Sequence, residues 1–199
     1  MGTVIRSRML AALLALATTA GCVAPIGPVS VTRFHVPETA ALGTGTIAVE
    51  SAPGGDPTSL ELQPYLRAVT AELQRVGYAT PTAATTQVAL VKVIRSRFRP
   101  ERARGPVSVG LGGSTGSYGS GVGLGVGIDL SGRPPEQVET ELAITIRDRK
   151  NGKALWEGRA SFTVRATSPL ANSELGAARL AAALFKGFPG NSGETIEVP

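Results

Sequence analysis

Hydrophobic positions recur along this chain in two rhythms, one helical and one strictly alternating. The longest helical rhythm spans Ser59 to Val76. There Leu62, Tyr65, Leu66, Val69, Leu73 and Val76 fall on one face of a repeat of about 3.6 residues. Thr58 and Glu61 have the spacing of a capping box at its start, and Gly77 fits the stop. A second helix is predicted from about Asn172 to Lys186. Its apolar side would hold Leu175, Ala178, Ala182, Leu184 and Phe185, with Ser173 as the cap and Gly187 and Pro189 ending it.

Alternation marks the strands. Val29 to Val36 and Thr44 to Ser51 each read as one. Gln87 to Phe98 reads as a third, in which Val91 and Val93 share a parity with Arg95, Arg97 and Arg99. Val138 to Asp148 and Lys153 to Arg165 form the clearest hairpin, and the intervening Asn151-Gly152 favours a type I′ turn. Between these lies Gly105 to Gly132, with eleven glycines. Val122, Leu124, Val126, Ile128 and Leu130 alternate there with Gly or Asp, and Pro106 to Leu111 could pair back on them. A bare glycine face admits another backbone or ligand closely, but glycine also weakens a strand, so a loop competes with a hairpin. Strands in runs with two helices interspersed predict an α+β fold: an antiparallel or mixed sheet with both helices packed on one face.

The first residues follow neither rhythm. Arg6 and Arg8 precede the short apolar run Met9 to Ala17, then small residues, then Cys22. A run that short cannot span a bilayer, which needs about 20 apolar residues. The layout is that of an export signal, and Thr19-Ala20-Gly21-Cys22 resembles a lipobox. Cys22 is the only cysteine, so an intramolecular disulfide is excluded and lipidation is the expected chemistry. The chain divides into a signal peptide over 1–21 and a lipidated tether over 22–28. A single domain follows over 29–189, with the Gly-rich hairpin or loop at 105–132, and then a polar tail over 190–199. Val23 stands where an Asp would, by resemblance to enterobacterial lipoproteins, retain the protein in the inner membrane. The expected location is therefore the outer membrane, facing the periplasm.

Composition narrows the chemistry. The formal charge is +5, and Arg6 and Arg8 supply two of those charges. The mild balance that remains suits anionic headgroups or cell-wall polymer. Its focus is Lys92, Arg95, Arg97, Arg99, Arg102 and Arg104, with only Glu101 among them. Arg95, Arg97 and Arg99 would project from one strand face about 7 Å apart and are the candidate anion-binding residues. The competing expectation is a solvated edge strand whose charges block edge pairing. His35 is the only histidine, no G-x-S-x-G is present, and the Gly-rich run has neither G-x-G-x-x-G nor a following Gly-Lys-Ser/Thr. No catalytic residue, metal site or cofactor is expected, and nucleic acid is not an expected partner.

Several of these features occur together in a known order. The run YLRAVTAELQRVGY (Tyr65 to Tyr78) comes before the strand VALVKV. Asp148, Gly152, Leu155, Trp156, Gly158 and Ala160 follow, and Phe188-Pro189 closes the second helix. The chain thereby resembles, from about Phe34 to Pro189, the bacterial lipoprotein family named domain of unknown function 4136. It departs from that pattern at Gln87-Val88-Ala89, where Ala-Asp is usual, and in having only Tyr118 in the glycine segment. The resemblance carries no catalytic residues, and it implies a core or sheet-packing place for Trp156, with a recognition aromatic as the alternative. The expected function is a non-enzymatic, membrane-anchored periplasmic lipoprotein that binds or helps assemble an envelope component, either an anionic ligand or a protein. The alternatives are an envelope enzyme acting on glycan or lipid and a docking subunit of an outer-membrane complex.

Overall fold

A computed structural model describes residues 27–79, 85–101, 107–116, 119–128 and 133–199; for 107–116 and 119–128 it describes the backbone. The expected signal peptide, Cys22 and most of the expected tether lie outside the described residues. The strands are β1 (Val29–His35), β2 (Ile47–Ser51), β3 (Gln87–Phe98), β4 (Val107–Gly116), β5 (Gly119–Ile128), β6 (Gln137–Asp148), β7 (Ala154–Arg165) and β8 (Thr195–Val198). The helices are α1 (Gln63–Arg75) and α2 (Ser173–Phe185). Six strands form one mixed sheet in the order β2-β3-β6-β7-β1-β8, and β4 and β5 form a separate hairpin. Only β2 and β3 run parallel, joined through α1; the other pairs are antiparallel. This is the α+β fold expected from the alternation of patterns.

Period-two burial builds the sheet. Val138, Thr140, Leu142, Ile144 and Ile146 of β6 are buried, and so are Trp156, Gly158, Ala160, Phe162 and Val164 of β7. These faces meet both helices in one core that also takes in Val29, Ile47, Val91, Tyr65, Leu180 and Leu184. Burying each large apolar side chain contributes about 1.5–3 kcal/mol. Arg33 shares the inward parity of Val29 and Val31 yet is only 5% exposed. Its Nε donates to Leu184 O at 2.9 Å, and its Nη2 donates to Ala183 O at 3.1 Å and Lys186 O at 2.9 Å. The cation thus closes the carbonyl end of α2, where the helix dipole favours positive charge. Burial pulls its pKa down from the ordinary arginine value, against the opposing field of Glu194.

Four expectations are corrected. The first helix begins at Gln63 rather than Ser59, and Thr58 and Glu61 form no capping box. Asp56 instead accepts from Thr58, and Glu61 reaches Arg95. Pro64 sets the start, since its missing N–H costs nothing in a first turn. The cap of α2 is Asn172, which accepts from Glu174 N, not Ser173. The Asn151-Gly152 turn is not type I′, which needs positive φ at both residues; only Gly152 has it, at 72°. Asp148 organises that loop by accepting from the N–H groups of Lys150 and Asn151. Finally, the polar tail contains β8, an edge strand paired with β1.

Candidate functional site

The pairing registers place several features together at one end of the sheet. Phe98 at the end of β3 faces Gln137 at the start of β6, which faces Arg165 at the end of β7. Val29, the first residue of β1, faces Val198 and lies toward that same end, from which β1 runs away. Residues 27–28, which lead into β1, therefore join the domain at the end where Arg97 and Arg99 lie. The β4–β5 hairpin also departs from that end, because it is inserted between β3 and β6.

β3 outruns its partner on the edge side. β2 pairs only with Gln87 to Val91, after which Ala52 N donates to Val91 O and the chain turns away. Val91 turns its main-chain groups toward β2, so Val93, Arg95 and Arg97 turn theirs the same way, beyond the reach of β2. Among the described residues nothing pairs with them on that side. Beside this edge the departing loop leaves an open groove of about 450 Å³, lined by Ser51, Gly54, Leu62, Val91, Val93 and Arg95 among others.

The structure divides the three arginines singled out in the sequence. Arg95 is a tie between elements. Its Nη1 donates to Glu61 at 2.7 Å and to Ser173 Oγ at 2.8 Å, and its Nη2 donates to Ala171 O at 2.6 Å. It thus links β3 to the segments that open both helices. Its Nε is buried with no partner among the described residues. Arg97 and Arg99 are exposed. Sequence parity could not separate them, because the difference lies in how far the helices extend along β3.

Other polar groups have structural partners. His35 sits at the end of β1, with Nδ1 2.8 Å from Val36 O and Nε2 3.2 Å from Gly190 O. Gln87, at the position where the sequence departs from the expected Ala-Asp, is buried. It accepts from Tyr78 Oη at 3.1 Å and donates to Ala41 O at 2.9 Å. Asp56, on the groove wall, is held below its ordinary pKa chiefly by the Thr58 hydroxyl and also by the Thr58 N–H. Among the described residues no group of three His, Cys, Asp or Glu side chains is arranged to hold a metal.

The model of the family described as a domain of unknown function, DUF4136, matches residues 43–190. The chain belongs to the DUF4136 family. Its match runs from the turn before β2 through the Gly190 that follows Phe188-Pro189, so the groove and the hairpin both fall within the DUF4136 domain. An uncharacterized protein of Zymomonas mobilis is 29% identical over 217 residues, covering 86% of this chain and 80% of its own. Among solved structures, a PDZ domain protein from Parabacteroides distasonis resembles the DUF4136 chain with a TM-score of 0.51 at 12% identity. The match covers 96% of this chain but 42% of that protein. The PelC dodecamer from Paraburkholderia phytofirmans gives a TM-score of 0.44 at 12% identity, covering 82% of this chain and 99% of the PelC chain.

Proposed function

We propose that this DUF4136 protein is a lipoprotein anchored through Cys22 to the periplasmic face of the outer membrane, and that its domain binds a cell-envelope component without catalysing a reaction on it. The observation that carries the binding reading is the groove beside β3. It is open to solvent and pairs an apolar floor, Val91, Val93 and Leu62, with unpaired main-chain groups along one rim. That combination suits recognition of an extended ligand better than acid–base chemistry. A general acid near neutral pH needs a raised carboxyl pKa, whereas Asp56 is depressed. Arg97 and Arg99, exposed at the tethered end, suit an anionic surface.

Two measurements test the two halves. Replacing Cys22 with Ser should abolish incorporation of labelled palmitate; a variant that kept its lipid label would remove the anchor. A photo-crosslinker at Gly54, in the groove, should capture an envelope component in intact cells, while one at Asn151, at the opposite end of the sheet, should not. Equal capture at both positions would remove the groove from the proposal.

A further inference from the structure

The groove leaves the second sheet without a role. β4 and β5 pair only with each other among the described residues, and they project from the end of the main sheet where the tether joins. We propose that this hairpin crosses the bilayer, and that it does so in company: several copies of the chain lay their hairpins edge to edge and close them into one β-barrel. The proposal rests on the anchored-lipoprotein reading for the membrane it meets.

Length is the first argument. β4 and β5 each have 10 residues, and a tilted strand crosses hydrocarbon in about 9–11. Pattern is the second. The register pairs Val107 with Ile128, Val109 with Val126, Leu111 with Leu124 and Gly113 with Val122, so these residues share one face, and Thr115 and Ser120 end that face at the tip. The opposite face is composed of Ser and Gly, as in the pairs Ser108–Gly127 and Gly110–Gly125. A barrel wall needs one face for acyl chains and one for water, alternating residue by residue. Nothing in a hairpin meant only to hang in water requires so regular an apolar face.

Charge is the third argument. From Val107 to Ile128 there is no Asp, Glu, Lys, Arg or His. The charges stop where the hairpin starts: Arg97 near the end of β3 and Arg99, Arg102 and Arg104 after it outnumber Glu101 before the hairpin and Asp129 behind it. Cations at the base of an uncharged segment complement the anionic headgroup layer, while the segment itself meets hydrocarbon.

The need for company follows from the backbone. A lone hairpin carries two outer edges of unpaired N–H and C=O groups, which hydrocarbon does not tolerate. Closure removes both edges, and the smallest closed membrane barrels have about eight strands, hence about four copies. In water a lone two-stranded hairpin is marginal, so assembly waits for the membrane. The shared anchor supplies copies already confined to one surface.

Single cysteines introduced into the full-length anchored chain test this in open membranes with a hydrophilic maleimide. Ser108→Cys and Gly110→Cys should label, and Val109→Cys and Leu111→Cys should label only after detergent is added. Labelling at all four positions, or at none, would overturn the proposal. In the same membranes an amine crosslinker should give a ladder of oligomers that Leu111→Asp with Leu124→Asp abolishes; a ladder that survives those substitutions also overturns it. The unsubstituted chain reports on the anchor separately. If Cys22 itself reacts with maleimide, the anchor fails, whatever pattern the four positions show.

Discussion

Trp156 shows why a tryptophan on this hairpin is followed two residues later by glycine. Residues two apart on a strand share a face, so Gly158 lies under the indole, and a Cβ there would overlap its six-membered ring. The ring can then lie flat, stacked on Phe185 at 5.5 Å and beside Phe188 at 5.3 Å, while its Nε1 donates to Pro189 O at 3.0 Å. Gly158→Ala should cost about 1–3 kcal/mol of stability through overpacking, read as a lower urea midpoint with an unchanged slope. No loss would mean the indole has room to move. The core place of Trp156 followed from the family pattern, and its shared parity with Phe162 and Val164 agrees with it. The cap of α2 was not, because Asn172 and Ser173 are both good caps and the sequence does not say which residue leaves the helix first. The turn at Gly77 was legible for a physical reason: its φ of 108° and its back-to-back approach to the Gly43 carbonyl leave no room for a side chain.

Among the elements, β3 carries the candidate anion-binding arginines, and it was also the strand whose limits the sequence predicted best. Its alternation gave the inward row through Val91 and Val93 to Arg95 and Arg97. It could not show where the cover of the helices ends, and so could not show that Arg95 fastens the starts of α1 and α2. Arg95→Gln should therefore lower stability by about 1–3 kcal/mol, the range for hydrogen bonds to a charged group, whereas Arg97→Gln should stay within about 0.5 kcal/mol. Equal effects in urea unfolding would refute the division of labour between them. α1 itself starts later than its hydrophobic period implies. Leu62 keeps the period but stands as the cap, and Leu60 just before it is 88% exposed. The glycine-rich segment left hairpin and loop open in the sequence because glycine removes the cross-strand packing that usually decides between them.

For the whole molecule, two buried phenols make stability depend on pH in the alkaline range. Burial raises the pKa of Tyr65, with Arg95 opposing it, and burial likewise raises that of Tyr78 above the ordinary 10.0. The folded chain keeps these protons where the unfolded chain would release them. Their contribution is therefore complete below about pH 10 and is lost as pH rises through that value toward the folded pKa values. Urea midpoints taken between about pH 8 and 11 should fall with a slope that Tyr65→Phe makes shallower; an unchanged slope would mean Tyr65 ionises freely. The overall α+β plan was legible because both rhythms are strong. The strand order was not, because alternation identifies a strand without naming its neighbours. That order has a consequence for how the chain comes together. β1 lies between β7 and β8, so it finds both partners more than 100 residues downstream. Such long loops close late and slowly. The rest of the sheet can condense while β1 is still an unpaired strand, which leaves β1 open to the wrong partner until β7 and β8 enclose it beside the sheet edge.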